Sequence, residues 1–351
     1  MIAPNQIERP ANAALAIIAV GVVIAGLYHG RALLIPIAVA IFIWSMLEAI
    51  IKGFANLPIG RYRLSRGYAS LVTAAVVLGA GYFIVFILLA QVDSLGDAWP
   101  RYVLRFESIL SDLTRVLGPE RSEKLNAILA GVDLTKWLPQ LLASTQFVVT
   151  NTLLVIAYVG FMFAESTFVE SKISALSKDE QGAHGTAALL RSVFESVQRY
   201  MWIKSVISLC TGLACYAVLR AVGVDFAETW ALLVFVLNYI PNIGSILAVA
   251  FPAIIALVQF DTLGPFIILL GSLTAIQLTI GSIIEPMLMG NSLNISPLAI
   301  ILGLAFWGTL WGIVGMFLSV PILVVILIVC AHVPSWRWVA VLLSKDGRIS
   351  E

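Results

Sequence analysis

Residues 286–336 read PMLMGNSLNISPLAIILGLAFWGTLWGIVGMFLSVPILVVILIVCAHVPSW, a run of 51 residues without one Asp, Glu, Lys or Arg. As one straight helix, rising about 1.5 Å per residue, it would be roughly 76 Å long. A hydrocarbon layer is only about 30 Å thick and is spanned by about 20 residues. The run is interrupted by Gly308, Gly312, Gly315 and Pro321. Proline removes a backbone donor and glycine loosens a helix. Irregular backbone is tolerated at membrane depth only where protein buries it or a cavity solvates it. A second run, Thr229–Phe260, is uncharged for 32 residues and is broken by Asn238-Tyr-Ile-Pro-Asn-Ile-Gly244 and by Pro252. These two segments set the expected fold class, an all-α polytopic membrane protein.

The rest of the chain agrees. Uncharged runs also cover Pro10–Gly30, Ala32–Leu47, Gly67–Val92, Trp137–Ala164, Ser205–Leu219 and Thr262–Ile284, giving about eight spans with two of the C-terminal ones broken. Hydrophobic residues make up 60%, charged residues 12%, and mean hydropathy is +0.99. Soluble domains carry roughly 25% charged residues, so a soluble chain of this composition could not cover its own core. The three cysteines, Cys210, Cys215 and Cys330, lie in apolar stretches without zinc or CxxC spacing and read as small buried hydrophobes. His29, His184 and His332 are scattered, and no HExxH, GxSxG or P-loop pattern occurs. An enzyme, a metal site and a cofactor are therefore not expected. A net charge of +1 gives no sign of nucleic acid.

Two polar blocks interrupt the spans. In Asp93–Lys136, Phe106, Ile109, Leu110, Leu113, Val116 and Leu117 form a helical stripe; Gly118-Pro119 ends it, Leu125, Ile128 and Leu129 begin another, and Asp133 can cap a further helix. In Glu165–Lys204 the stripe is Leu189, Leu190, Val193 and Val197. The loop carrying Lys52, Arg61, Arg63 and Arg66 holds no acid, and Lys and Arg mark the cytoplasmic side. The expected layout is then spans 1–3 in 1–92, an extracytoplasmic amphipathic block in 93–146, and span 4 in 147–164. A cytoplasmic amphipathic linker in 165–204, a C-terminal membrane core in 205–336 and a cytoplasmic tail in 337–351 follow. Both termini are expected in the cytoplasm.

Parity constrains the broken segments. If both are kinked spans, or both re-entrant hairpins, the basic tail with Arg337, Lys345 and Arg348 ends inside; if only one is a hairpin, it ends outside. The two are thus expected to behave alike, and both forms stay open. Ile243-Gly-Ser-Ile-Leu-Ala-Val-Ala-Phe-Pro252 also echoes Trp311-Gly-Ile-Val-Gly-Met-Phe-Leu-Ser-Val-Pro321, pairing Gly244 with Gly312. Opposed broken helices recur in secondary transporters.

Glu285 is the only acid in Thr262–Trp336. It reads either as a proton or cation ligand, or as a carboxylate capping a new half-helix that begins at Pro286. Glu48 is a secondary ionisable candidate, or an interfacial partner of Lys52 four residues on. Asn238 and Asn242, flanking Pro241, either satisfy backbone groups that the proline frees or face a polar solute. Gln259 and Gln277 read as buried helix-interface amides, and Trp307 and Trp311 as anchors or packing wedges.

Several of these stretches carry a resemblance. Asn238-Tyr-Ile-Pro-Asn-Ile-Gly-Ser245, Glu285-Pro286, Met289-Gly290, Ser296-Pro297, Phe306-Trp307-Gly308 and Gly312-Ile-Val-Gly-Met-Phe-Leu-Ser-Val-Pro321 resemble the autoinducer-2 exporter family (AI-2E, PerM-like permeases). Gln198-Arg-Tyr-Met-Trp-Ile-Lys204 and Gln277 fit as well. The family often has Arg or Lys after the Glu-Pro and Met-Gly pairs; Met287 and Asn291 stand there instead, which weakens an anion-binding role for that loop. The resemblance implies a multi-pass protein of the cytoplasmic (inner) membrane that exports autoinducer-2 or exchanges sodium (lithium) for protons. It also implies a homo-oligomer, a pentamer in particular. The expected partners are a small polar solute, H+ or Na+, and the lipid bilayer. A non-transporting oligomeric scaffold is the rival from another class. The expected transport and gating residues are Asn238, Pro241, Asn242, Gly244, Gln277, Glu285, Pro286, Gly312, Gly315 and Pro321.

Overall fold

The structure, a computed structural model, describes residues 5–56, 58–59, 62–63, 65–117, 152–166, 168, 171–172, 180–289 and 294–348. In chain order these hold α1 (Asn5–His29), α2 (Arg31–Asn56), β1 (Pro58–Ile59), β2 (Tyr62–Arg63) and α3 (Arg66–Leu117). Then come α4 (Thr152–Ser166), α5 (Glu180–Val222), α6 (Ala227–Leu237), α7 (Ile243–Gln259) and α8 (Leu263–Thr279). The last are α9 (Glu285–Met289), α10 (Pro297–His332) and α11 (Arg337–Leu343). The two antiparallel two-residue strands lie in the basic loop; every longer element among the described residues is helical.

Arg31–Gly53, Ala187–Val222, Leu263–Met289 and Pro297–His332 are long and apolar enough to cross a membrane, and five shorter apolar helices accompany them. Leu78, Tyr82, Phe161 and Ile313 are exposed, so the outer surface suits lipid rather than water. The described part of each polar block is continuous with an apolar helix. α3 is 52 residues, about 78 Å, and passes through Pro100 without a break. Its Phe106 and Ile109 pack on a small core of Ala98 and Tyr102 with Val258 of α7. The sequence features at 118–151 lie outside the described residues. α5 is 43 residues and joins the stripe around buried Val193 directly to span five. It ends at Gly223 (φ +80), where the N–H groups of Gly223 and Val224 both bond the Leu219 carbonyl.

The chain forms two compact units. One comprises Met1–Ser45, Asn151–Val197 and Asn294–Glu351; the other comprises Met46–Thr150 and Gln198–Leu293. In the second unit α6 and α7 fold back on each other as a helical hairpin. Cys215, Leu219, Val234, Ala248, Ala256, Leu269 and Leu273 form one core from α5 to α8. A Cβ on Gly244 would lie 1.8 Å from the Leu237 carbonyl oxygen, so only glycine lets the two arms meet there.

In the first unit α10 is helical on both sides of Gly312, whose φ/ψ of 65/−145 breaks it. A Cβ on Gly303 would come 2.7 Å from Leu323 Cδ1. Twenty residues of straight helix would separate these positions by about 30 Å, so α10 is a second hairpin. Gly308 meets Met316, and a Cβ on Gly315 would lie 1.9 Å from the Trp307 carbonyl oxygen. Both broken segments are therefore hairpins rather than kinked rods. The structural counterpart of Gly244 is Gly315, not Gly312, because each lets its arm pass against a carbonyl of the opposite arm. The Trp311 indole N–H donates to the Leu27 carbonyl at 3.0 Å, satisfying the end of α1. Phe317 packs edge-on against Phe42.

Candidate functional site

α5 carries Tyr200, Lys204, Ser208 and Thr211 at helical spacing, all buried. Such a polar stripe inside apolar helices needs partners, because a buried polar group without one costs about 1–3 kcal/mol. The second unit supplies them. Lys204 Nζ meets Glu285 Oε1 at 2.5 Å, with the lysine side chain 3% exposed and the glutamate 22%. Tyr200, one turn before Lys204, lies within the electrostatic reach of Glu285 and Tyr239. Ser205 Oγ bonds Tyr239 Oη at 2.7 Å, and Asn238 Nδ2 donates to Ser208 Oγ at 3.0 Å.

Glu285 owes its place to a local break in helical winding. Ile280–Ile284 is a π turn, and the Glu285 N–H bonds the Ile280 carbonyl five residues back. The extra residue makes the eight-residue step from Gln277 to Glu285 act as about seven, close to two turns at about 3.6 residues each. Both side chains thus share one face. Gln277 is 7% exposed, and neither Oε1 nor Nε2 of its amide has a partner among the described residues.

Three expectations change. Glu285 does not cap the second broken segment: the helix continues through Pro286 to Met289, and α10 starts only at Pro297, after extended Ser296. The π turn just before Pro286 accommodates the missing donor, and the carboxylate faces Lys204 instead. Asn238 and Asn242 do not repair the backbone with their side chains. Asn238 bonds Ser208, while Asn242 is exposed and takes φ +61, the conformation that closes the hairpin turn. Gln259 is a loop tie rather than a helix-interface amide, accepting from the Asp225 N–H and donating to the Gly223 carbonyl.

The remaining candidates fall in two places. Pro241 and Gly244 shape the turn of the α6–α7 hairpin. Glu48 belongs to the same unit and is 6% exposed, buried whereas Lys52 is not. Gly312, Gly315 and Pro321 belong to the other unit and build the α10 hairpin, whose seam is apolar apart from Ser319. Sequence reasoning missed Lys204, Tyr200, Ser205, Ser208 and Tyr239 as functional groups. The period of Tyr200, Lys204, Ser208 and Thr211 was the available signal. Among the described residues no group of three His, Cys, Asp or Glu is placed to hold a metal ion.

The described residues are those of a multi-pass helical membrane protein with a buried charged pair beside a local break in helical winding. The chain belongs to the AI-2E family of transporters, whose sequence model matches residues 15–335. It is 30% identical over 327 residues to the AI-2 transport protein TqsA of Escherichia coli, covering 92% of each chain. It is also 30% identical over 337 residues to a protein of Haemophilus influenzae, covering 94% of this chain and 95% of that one. YhhT of Escherichia coli is 28% identical over 312 residues.

Proposed function

We propose that this transporter moves a small polar solute such as autoinducer-2 across the cytoplasmic membrane, along the polar face formed by Tyr200, Lys204, Asn238, Tyr239, Gln277 and Glu285. The observation that carries this reading is the buried Lys204–Glu285 pair beside the unpartnered amide of Gln277. A buried ion pair adds little net stability over an apolar replacement, and an unpartnered buried amide is a cost. A passing hydroxylated solute or water would satisfy the amide.

The topology that fits has eight membrane segments. α1 to α5 and α8 cross; the α6–α7 hairpin enters from outside and the α10 hairpin from inside. Both termini and the basic loop are then cytoplasmic. α6 is 11 residues, about 16 Å, so its hairpin reaches partway through the layer and brings Asn238 to Ser208. The family resemblance supports assembly as a homo-oligomer, a pentamer in particular.

Sodium (lithium)/proton antiport is the second reading, favoured by the position of Glu285: a half-buried carboxylate that a cation or proton could take from Lys204. Flux through purified protein in proteoliposomes, with and without an imposed proton gradient, separates the readings. Autoinducer-2 movement supports the first. Gradient-driven sodium movement without solute supports the second. Neither movement supports a non-transporting scaffold.

A further inference from the structure

A second polar concavity lies at the opposite end of α6 from Asn238. It is a cavity of about 300 Å³ lined by Gln91, Ala98, Arg101, Asp225 and Phe226. The α3 residues 91, 98 and 101 recur at helical spacing and present one face to the turn between α5 and α6.

The wall of this cavity is fixed from several sides. Tyr102 Oη donates to Asp225 Oδ2 at 2.6 Å. Burial, then that carboxylate, hold the phenol well above its ordinary pKa, so it stays a donor. Gln259 fixes the Asp225 backbone N–H at 2.8 Å. Gln91 donates to Glu228 at 3.0 Å and accepts from the Thr229 hydroxyl. Phe226 is held at φ +60, a left-handed conformation unusual for a bulky residue and one that persists only where surroundings enforce it. Among the described residues, Asp225 Oδ1 accepts no hydrogen bond, and the exposed guanidinium of Arg101 has no ion-pair partner. The charged residues lining the cavity are Asp225 and Arg101, one of each sign, and Glu228 behind Gln91 is paired with Arg220 at 3.7 Å, so the signs cancel.

We infer that this cavity is a binding site for a small, uncharged, polyhydroxylated solute. The donor and acceptor inventory selects that class. The walls offer the guanidinium donors of Arg101 and the one Gln91 N–H left over from Glu228, but one free carboxylate oxygen, Asp225 Oδ1. A hydroxyl brings one donor and two acceptor positions and matches that imbalance. An ammonium brings three donors and no acceptor and does not. An anion would lie against Asp225. The Phe226 ring supplies an apolar face for the C–H side of such a molecule. The inference rests on the reading of the chain as a carrier of a polar solute, for which this would be a docking site at the extracytoplasmic mouth of the hairpin.

The test is equilibrium binding to the full-length protein in nanodiscs by titration calorimetry, with D-ribose as the probe and glycine and acetate as comparisons. Saturable ribose binding is expected, with neither glycine nor acetate competing. Arg101→Met and Asp225→Asn should each weaken it about tenfold or more. Ala98→Leu, which adds bulk at the cavity wall, should weaken it too, in protein whose unchanged elution volume and Tm show that the packing of position 98 on Tyr102 and Val258 takes the larger side chain. Ser319→Ala, in the other compact unit, should leave it intact, and because binding is read without flux it survives even if the transport reading fails. Absence of ribose binding, preference for glycine or acetate, or ribose affinity unmoved by all three cavity variants would overturn the inference.

Discussion

The α6–α7 hairpin turns through Asn238-Tyr-Ile-Pro-Asn242 and spends its polar side chains on α5, whereas the hairpin inside α10 turns at Gly312 and closes on glycines and apolar groups. Both need one glycine where an arm passes a carbonyl, Gly244 and Gly315 respectively. They differ in what surrounds that contact. The first hairpin belongs to a unit with a buried ion pair and a hydroxyl–amide network; the second has Ser319 as a buried hydroxyl without a partner among the described residues. The same backbone solution therefore serves two purposes, a polar lining in one case and a packed element in the other.

The largest expected effect tests what the hairpins share. Gly315→Ala and Gly244→Ala each force a Cβ against backbone, and each should destabilise by about 3 kcal/mol or more. Thermal unfolding in detergent and the monodisperse yield check this; tolerance of either alanine would break the proposed equivalence. The next effect belongs to the first unit alone. Lys204→Met leaves Glu285 partly buried without its partner and should cost about 3 kcal/mol. Adding Glu285→Gln should recover most of that loss, a coupling that a double-mutant cycle measures. If the two losses add, the pair is not interacting.

Smaller effects sharpen the contrast. Gly312→Ala places a side chain at φ +65 and should cost about 1–3 kcal/mol, visible as a lowered Tm. Asn238→Ala strips the partner of buried Ser208 and should cost about 1 kcal/mol, while Ser319→Ala removes an unsatisfied hydroxyl and should be neutral or slightly stabilising. Equal destabilisation by those two alanines would remove the distinction between a polar and a packed hairpin.

Much of this was legible in the sequence. An uncharged run too long for the bilayer and broken by Pro and Gly must either kink or fold back, and parity made the two segments behave alike, but only the glycine contacts of the folded chain decide for hairpins. Their correspondence was visible too, but out of register: the echo aligned Gly244 with Gly312, because it tracked the Gly-Pro pattern rather than the steric contact that makes Gly315 the counterpart. The ion pair was half legible. Glu285 stood out as a lone acid, yet its partner lies 81 residues away and looked like the last charge of a solvated block. Helix α5 runs unbroken through Lys204, so no boundary marked the change from solvated face to buried stripe. Pro286 misled for a related reason: a proline usually starts a helix, and nothing local to the sequence announced a π turn before it.

The central claim is that the Lys204–Glu285 pair works in transport rather than only in folding. The most direct measurement is solute flux through the Lys204→Met/Glu285→Gln double variant in proteoliposomes, beside its Tm. The account predicts near wild-type stability with flux reduced at least about tenfold, since removing one charged hydrogen bond made in transit is worth about that much. Wild-type flux in that stable double variant would contradict it and leave the pair a structural feature.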